Sequence, residues 1–284
     1  MADVLITGGH AGLGLEAATK LASEWHVNLV LAGRDMNKVE TAAQQLGQRY
    51  GVRVTPLSLD LASLESVRAA AATFRDMLAK GKVEPLQALV CNAGVQSLRG
   101  PVSYSSDGYE ETFAVNHLGH FLLVDLLLDS VADGGRVVFT SSGTHDPETM
   151  DGKSVGAAVE PDAVALANEG KNGKKSISGG KRYSTSKLLN ILFSYELDRR
   201  LRRAHQPVAS IAFDPGFIPE TGLSKSAPKV ARWLIRTALL KWVSKKLGVT
   251  MGSLPFSGAA LARIAMDPAF ANASGKYFQS KTGL

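Results

Sequence analysis

Short β-rich runs recur along the chain: VLIT (4–7), VNLVLAG (27–33), VRVTPLSL (52–59), LQALVC (86–91), GRVVFTS (135–141) and VASIAF (208–213). Between the first five lie stretches long enough for helices. From Leu13 to Trp25, residues Ala17, Ala18, Leu21, Ala22 and Trp25 fall at helical spacing, and Leu64, Val67, Ala71, Phe74 and Leu78 repeat the pattern. Strand, helix, strand in that order implies a parallel sheet with helices on both faces, the doubly wound α/β architecture. Crossovers of this kind are right-handed, so every strand ends on one edge, and ligands bind in the crevice there. The residues just after each strand are therefore the candidate site.

Composition narrows the function. With 284 residues, 45% of them hydrophobic, the chain can bury one large core and reads as a single domain over 1–284. Its net charge of +6 suits an anionic small ligand, and no basic stripe interleaved with aromatics suggests nucleic acid. The single cysteine, Cys91, excludes a disulfide framework and a CxxC metal site; no metal is expected. A strand-like run and glycines stand where a signal peptide would lie, and no apolar stretch reaches transmembrane length, so a cytoplasmic protein is expected.

Three segments depart from the alternation. Forty residues separate Ser142 from Tyr183, and an insertion at about 145–180, containing NEGKNGKKSISGGK, reads as a mobile surface loop. Between Ser224 and Leu247 runs a basic, Trp-containing segment. Lys229, Arg232 and Arg236 share one helical face while Lys241 and Lys245 fall opposite. That division favours two short or bent helices forming a substrate lid at about 217–255 over a membrane-surface contact. Near the end, SGKYFQ can add an edge strand.

After the first strand comes TGGHAGLG, with Gly8, Gly12, Leu13 and Gly14 opening a helix. Glycines let the backbone approach a pyrophosphate, and the helix N-terminus offers unpaired N–H donors, as in a dinucleotide turn. Twenty residues past Gly14 the second strand ends at GRD. Arg34 suits a ribose 2′-phosphate, hence NADP; Asp35 would instead suit the 2′-hydroxyl of NAD, but Asp is a favoured cap for the helix starting MNKVE, so NADP is preferred. His10 could also approach that phosphate. In KRYSTSK, Tyr183 and Lys187 stand at i and i+4 on one helical face, where the ammonium should lower the phenol's pKa.

These turns lie among seven motifs: TGGHAGLG, LDLAS (59–63), CNAG (91–94), NHLGHF (116–121), TSSGTH (140–145), YSTSK (183–187) and DPG (214–216). In order and placement at strand ends they resemble the short-chain dehydrogenase/reductase family, whose fold is Rossmann-type. NHLGHFLLVDLLLD and SLDLASLESVR are most similar to the branch holding retinol dehydrogenases and light-dependent protochlorophyllide reductases. The resemblance implies that Asp60 and Leu61 flank the adenine, that Asn92, Ala93 and Gly94 pass beneath the cofactor, and that Pro215 and Gly216 approach the nicotinamide. It also implies that Tyr183 is the proton donor, that Lys187 lowers the tyrosine pKa and holds the nicotinamide ribose, that Ser142 bonds the substrate oxygen, and that Asn116 anchors a water near Lys187. Cys91 replaces a commoner asparagine. Glu220 stands where threonine is usual, with Thr221 next, leaving open which hydroxyl meets the nicotinamide.

The expected activity is NADP(H)-dependent hydride transfer to a carbonyl, or from an alcohol, of a bulky apolar substrate. The alternatives are reduction of a conjugated C=C bond and a non-catalytic NADP(H)-binding sensor. Substrate, direction and homo-oligomerisation are left open.

Overall fold

The computed structural model describes residues 3–98, 100–173, 175–218 and 252–280. Among these residues seven parallel strands form one sheet in the order β3-β2-β1-β4-β5-β6-β7. They are β1 (Asp3–Thr7), β2 (Asn28–Gly33), β3 (Val54–Ser58), β4 (Leu86–Cys91), β5 (Val131–Thr140), β6 (Ala209–Asp214) and β7 (Lys276–Gln279). The chain runs outward from β1 to β3, crosses back, and resumes beside β1 at β4. This reversal between β1 and β4 is where a doubly wound sheet opens its crevice.

Alternate residues of a strand point to opposite faces, so a sheet covered on both sides needs apolar residues at nearly every position. The core divides accordingly. Val4, Ile6, Leu29, Leu31, Val90, Val138 and Ile211 face α1 (Gly12–Lys20), α2 (Met36–Tyr50) and α9 (Leu254–Met266). Leu5, Val30, Ala32, Leu89, Val137 and Phe139 face α3 (Leu64–Ala79), α5 (Gly119–Leu127) and α8 (Gly179–Arg203). The periodic residues Val67, Ala71 and Phe74 of α3 are fully buried, as their spacing demands.

Short helices complete the frame. α4 (Glu111–Phe113) leads through a π-helical turn at Ala114–Leu118 into α5. The insertion differs from the loop expected of it: α6 (Met150–Val155) is capped by Thr149, and α7 (Ala163–Ala167) by Asp162. Leu166 and Ala167 of α7 are buried against Phe113 and Leu189, so apolar burial anchors this part of the insertion. SGKYFQ supplies β7, paired in parallel with β6 from Ile211–Lys276 to Asp214–Gln279. Most of the expected lid, 219–251, lies outside the described residues.

Candidate active site

All the strands end on the same edge, where a cleft of about 850 Å³ runs from His10, Arg34 and Asp60 to Ser142, Tyr183 and Lys187. The turn after β1 and the turn after β4 interlock at its centre. A methyl group built on Gly14 would lie 2.5 Å from the Gly8 carbonyl oxygen and 2.6 Å from Asn92 Nδ2. Gly12 meets no such neighbour; its φ of +53° is what requires glycine. Asn92 donates from Nδ2 to the Thr7 carbonyl at 2.9 Å, while the Asn92 and Ala93 N–H groups donate to Thr7 Oγ1 at 2.9 and 3.0 Å. Leu13, Ala93 and Gly94 line the same cleft.

At the β2 end, Asp35 caps α2 by accepting the Lys38 N–H at 3.3 Å, and its other oxygen pairs with the Lys38 ammonium. Both carboxylate oxygens are thus engaged, while Arg34 is exposed and pairs with no carboxylate among the described residues. Asp60 is held in an Asx turn by the Ala62 N–H at 3.0 Å, and Leu61 packs against Gly119. The residues therefore fit a dinucleotide with a 2′-phosphate: a glycine cradle that no side chain fills, then an unpaired guanidinium at the end of the second strand.

At the other end, α8 carries Tyr183 and Lys187, 5% and 3% exposed. The Lys187 ammonium lies 5.8 Å from the centre of the Tyr183 ring and donates to the Thr140 carbonyl at 2.9 Å. The expected acidification of the phenol is reversed. Burial pushes Tyr183 up to about 12; its hydrogen bond with Ser142 opposes the shift and the Asp214 carboxylate adds to it. Burial also brings Lys187 down to about 8, against the pull of Asp214. The physical reason is that desolvation penalises each charged form. Ser142 also caps the 3₁₀ turn Gly143–His145, its Oγ accepting from the Thr144 N–H at 3.4 Å and from Thr144 Oγ1 at 3.2 Å.

Asn116 is fully buried in the π-helical turn. Its amide clamps Val95, accepting from the N–H at 2.8 Å and donating to the carbonyl at 3.0 Å, and it also donates to Ser186 Oγ at 3.0 Å. It therefore holds the turn that follows CNAG. Its main-chain carbonyl accepts from Asn190 Nδ2 and His120 Nδ1, each at 3.1 Å.

Those partners assign the protons. Because the Asn116 carbonyl only accepts, His120 Nδ1 carries the hydrogen, and Nε2 accepts from the Thr7 hydroxyl at 2.9 Å. The Thr7 oxygen then has both lone pairs for the Asn92 and Ala93 N–H groups. Burial holds the His120 pKa down at about 3, so this neutral tautomer persists.

Further groups were not singled out from the sequence. Asp214, 1% exposed, accepts from the Gly216 N–H at 2.9 Å, Gln279 Nε2 at 2.8 Å and the Tyr277 hydroxyl at 3.3 Å. Ser257 donates to the Pro215 carbonyl at 2.7 Å. Asp214 lies in the quoted DPG, but its side-chain partners Tyr277 and Gln279 come from β7, more than 60 residues away, and no local pattern marks them. Pro215 and Gly216 line the cleft; Thr221 and Glu220 lie outside the described residues. Cys91 ends β4 with its thiol buried and its pKa pushed up, which makes it unreactive.

The family model described as short chain dehydrogenase matches residues 2–154. Protochlorophyllide reductase A, chloroplastic, of Oryza sativa subsp. japonica is 37% identical over 97% of this chain and 71% of its own. The Arabidopsis thaliana protein of the same name is 34% identical over 97% and 68%. Among solved structures, L-sorbose reductase from Gluconobacter frateurii, complexed with NADPH and L-sorbose, shares the fold with a TM-score of 0.72. It is 19% identical, over 99% of this chain and 95% of that one. The relatives named chloroplastic point to a plastid, which overturns the expectation of a cytoplasmic protein.

Proposed function

The chain belongs to the short-chain dehydrogenase family and is an oxidoreductase, and from that premise we propose that it transfers hydride between NADP(H) and a carbonyl or alcohol of a bulky, mostly apolar substrate. The observation that carries this reading is the pairing of two hydroxyls, Ser142 and Tyr183, hydrogen-bonded to one another in the cleft that the buried Lys187 also lines. Two such groups suit one carbonyl oxygen, which accepts two hydrogen bonds.

Bound NADPH would supply the hydride. With its phenol at about 12, Tyr183 is protonated at neutral pH, which suits it to give a proton to the developing alkoxide. Ser142 orients and stabilises the same oxygen. Lys187 holds the wall of the cleft at Thr140, and Asn116 holds the Val95 backbone that borders it. The engaged Asp35 and unpaired Arg34 support NADP over NAD. Leu98 and Phe217, 40% and 41% exposed, border the cleft and support an apolar substrate.

The test uses purified protein, NADPH and a panel of bulky aldehydes and ketones, followed at the nicotinamide absorbance. Tyr183→Phe should lower kcat by about 10²–10⁴-fold, the range for a general acid, with NADPH affinity little changed. Normal turnover by that variant removes the assignment.

A second reading, reduction of a conjugated C=C bond, is favoured by the protochlorophyllide reductases among the relatives. Products from an enone separate the two: an allylic alcohol supports the first, a saturated ketone the second.

A further inference from the structure

His10 stands between the glycine turn and the end of β2, and the proposed chemistry leaves it unused. Its ring covers Gly33: a methyl group there would lie 2.6 Å from both His10 Nδ1 and Cε1. Nδ1 is buried and has no hydrogen-bond partner among the described residues. A buried imidazole nitrogen without a partner is unusual, because such a group normally finds one. The ring borders the part of the cleft lined by Arg34, Asp35, Lys38 and Asp60.

The charges facing this corner determine what it can hold. Asp35 and Lys38 neutralise each other, which leaves the unpaired Arg34 guanidinium and the Asp60 carboxylate as the other charges that line this part of the cleft. A phosphomonoester brings about −1.5 to −2 charges, more than one guanidinium balances. Among the described residues that line this corner, the remaining group able to become a cation is His10. In the free protein burial lowers its pKa, with Asp35 opposing and Lys38 adding, so it starts neutral. An anion close to an imidazole raises its pKa by a unit or more, which would return His10 to the range where it charges.

We propose that His10 is a proton-linked specificity residue for the cofactor's 2′-phosphate: neutral in the free protein, it takes up a proton when that phosphate binds beside Arg34. Preference for NADPH over NADH then grows as the pH falls from about 8 to about 6.5. This rests on the NADP(H) reading above and adds a residue and a pH dependence to it.

Isothermal titration calorimetry of the full chain with NADPH and with NADH, without substrate, tests the linkage. At about pH 7.5, titrations in two buffers of different ionisation enthalpy give the protons taken up. A substantial fraction of one proton is expected with NADPH and near none with NADH. The ratio of NADH to NADPH Kd should rise about three- to tenfold between about pH 8 and 6.5, one proton being worth at most tenfold per pH unit. His10→Gln should still bind NADPH through Arg34 but lose both the uptake and the rise. His10→Asn, checked by circular dichroism, serves if the glutamine variant does not fold. The phosphate's own titration is common to wild type and variant, so their difference isolates His10. Tight NADPH binding that Arg34→Ala weakens, with no proton uptake or with an unchanged pH slope in His10→Gln, overturns this inference alone. NADPH bound no tighter than NADH at any pH, with Arg34→Ala without effect, overturns the cofactor reading and this inference with it.

Discussion

Tyr183 and Lys187 show how burial resets two groups in opposite directions. The phenol rises to about 12 and the amine falls to about 8, because each is driven toward its neutral form. The i, i+4 spacing was legible in the sequence; the depth of burial was not, since it depends on β5, β6 and the insertion closing around α8. For Lys187 the sign is clear. Its folded pKa lies below the ordinary 10.5, so below about pH 8 folding buries a proton-bearing amine at a cost, and that cost is relieved as pH rises toward 10.5. Lys187→Met should therefore be more stable than wild type at pH 7, by up to about 3 kcal/mol. The Thr140 carbonyl keeps Asn190 Nδ2 as a donor at 3.3 Å, so the substitution does not orphan it. Urea denaturation at pH 7 and 10.5 should show the gain shrinking at the higher pH; a gain independent of pH would contradict the burial account.

Between elements, the glycine turn is the tightest junction. Gly14→Ala drives a methyl group into the backbone of Gly8 and the amide of Asn92, joining two strand ends that cannot both move. It should cost about 1–3 kcal/mol and weaken NADPH binding. Gly12→Ala meets open space and pays only for its positive φ, about 1–2 kcal/mol, with the backbone trace kept. Denaturation and binding of both variants would show equal effects if steric interlock played no part. His120 ties the same turn to the π-helical turn. Its folded pKa of about 3 lies below the ordinary 6.5, so the unfolded chain takes up the proton first and stability falls as pH drops from about 6.5 toward 3. Its share of the slope is up to about 1.4 kcal/mol per pH unit, and urea midpoints of His120→Gln between pH 6.5 and 4.5 should fall less steeply than those of wild type. NHLGHF was visible as a motif, yet its second histidine had no assigned role, because its partners Thr7 and Asn116 meet it only in the packed molecule.

Across the whole molecule, the sheet's order sets a gradient of protection. Among the described strands β3 and β7 have one neighbour each, the other five have two, and β1, β4 and β5 lie furthest from the edges. Native-state hydrogen exchange should find the amides of β1, β4 and β5 slowest and those of β7 among the faster, and a β7 as slow as β1 would contradict the topology. β7 matters to the cleft nonetheless, because its Tyr277 and Gln279 hold Asp214 at the end of β6. What the sequence by itself determined was local: strand positions and edge, helix periodicity, the Asp35 cap, and which residues stand after each strand. Period-2 and period-3.6 patterns arise from neighbours in the chain, so they can be read there. Only the tertiary structure decided which groups are desolvated and what they meet: the raised phenol of Tyr183, Asn116 clamping Val95, Asp214 held from β7, and His10 set against Gly33. Those depend on distant segments excluding water together, a property that no stretch of the chain carries alone.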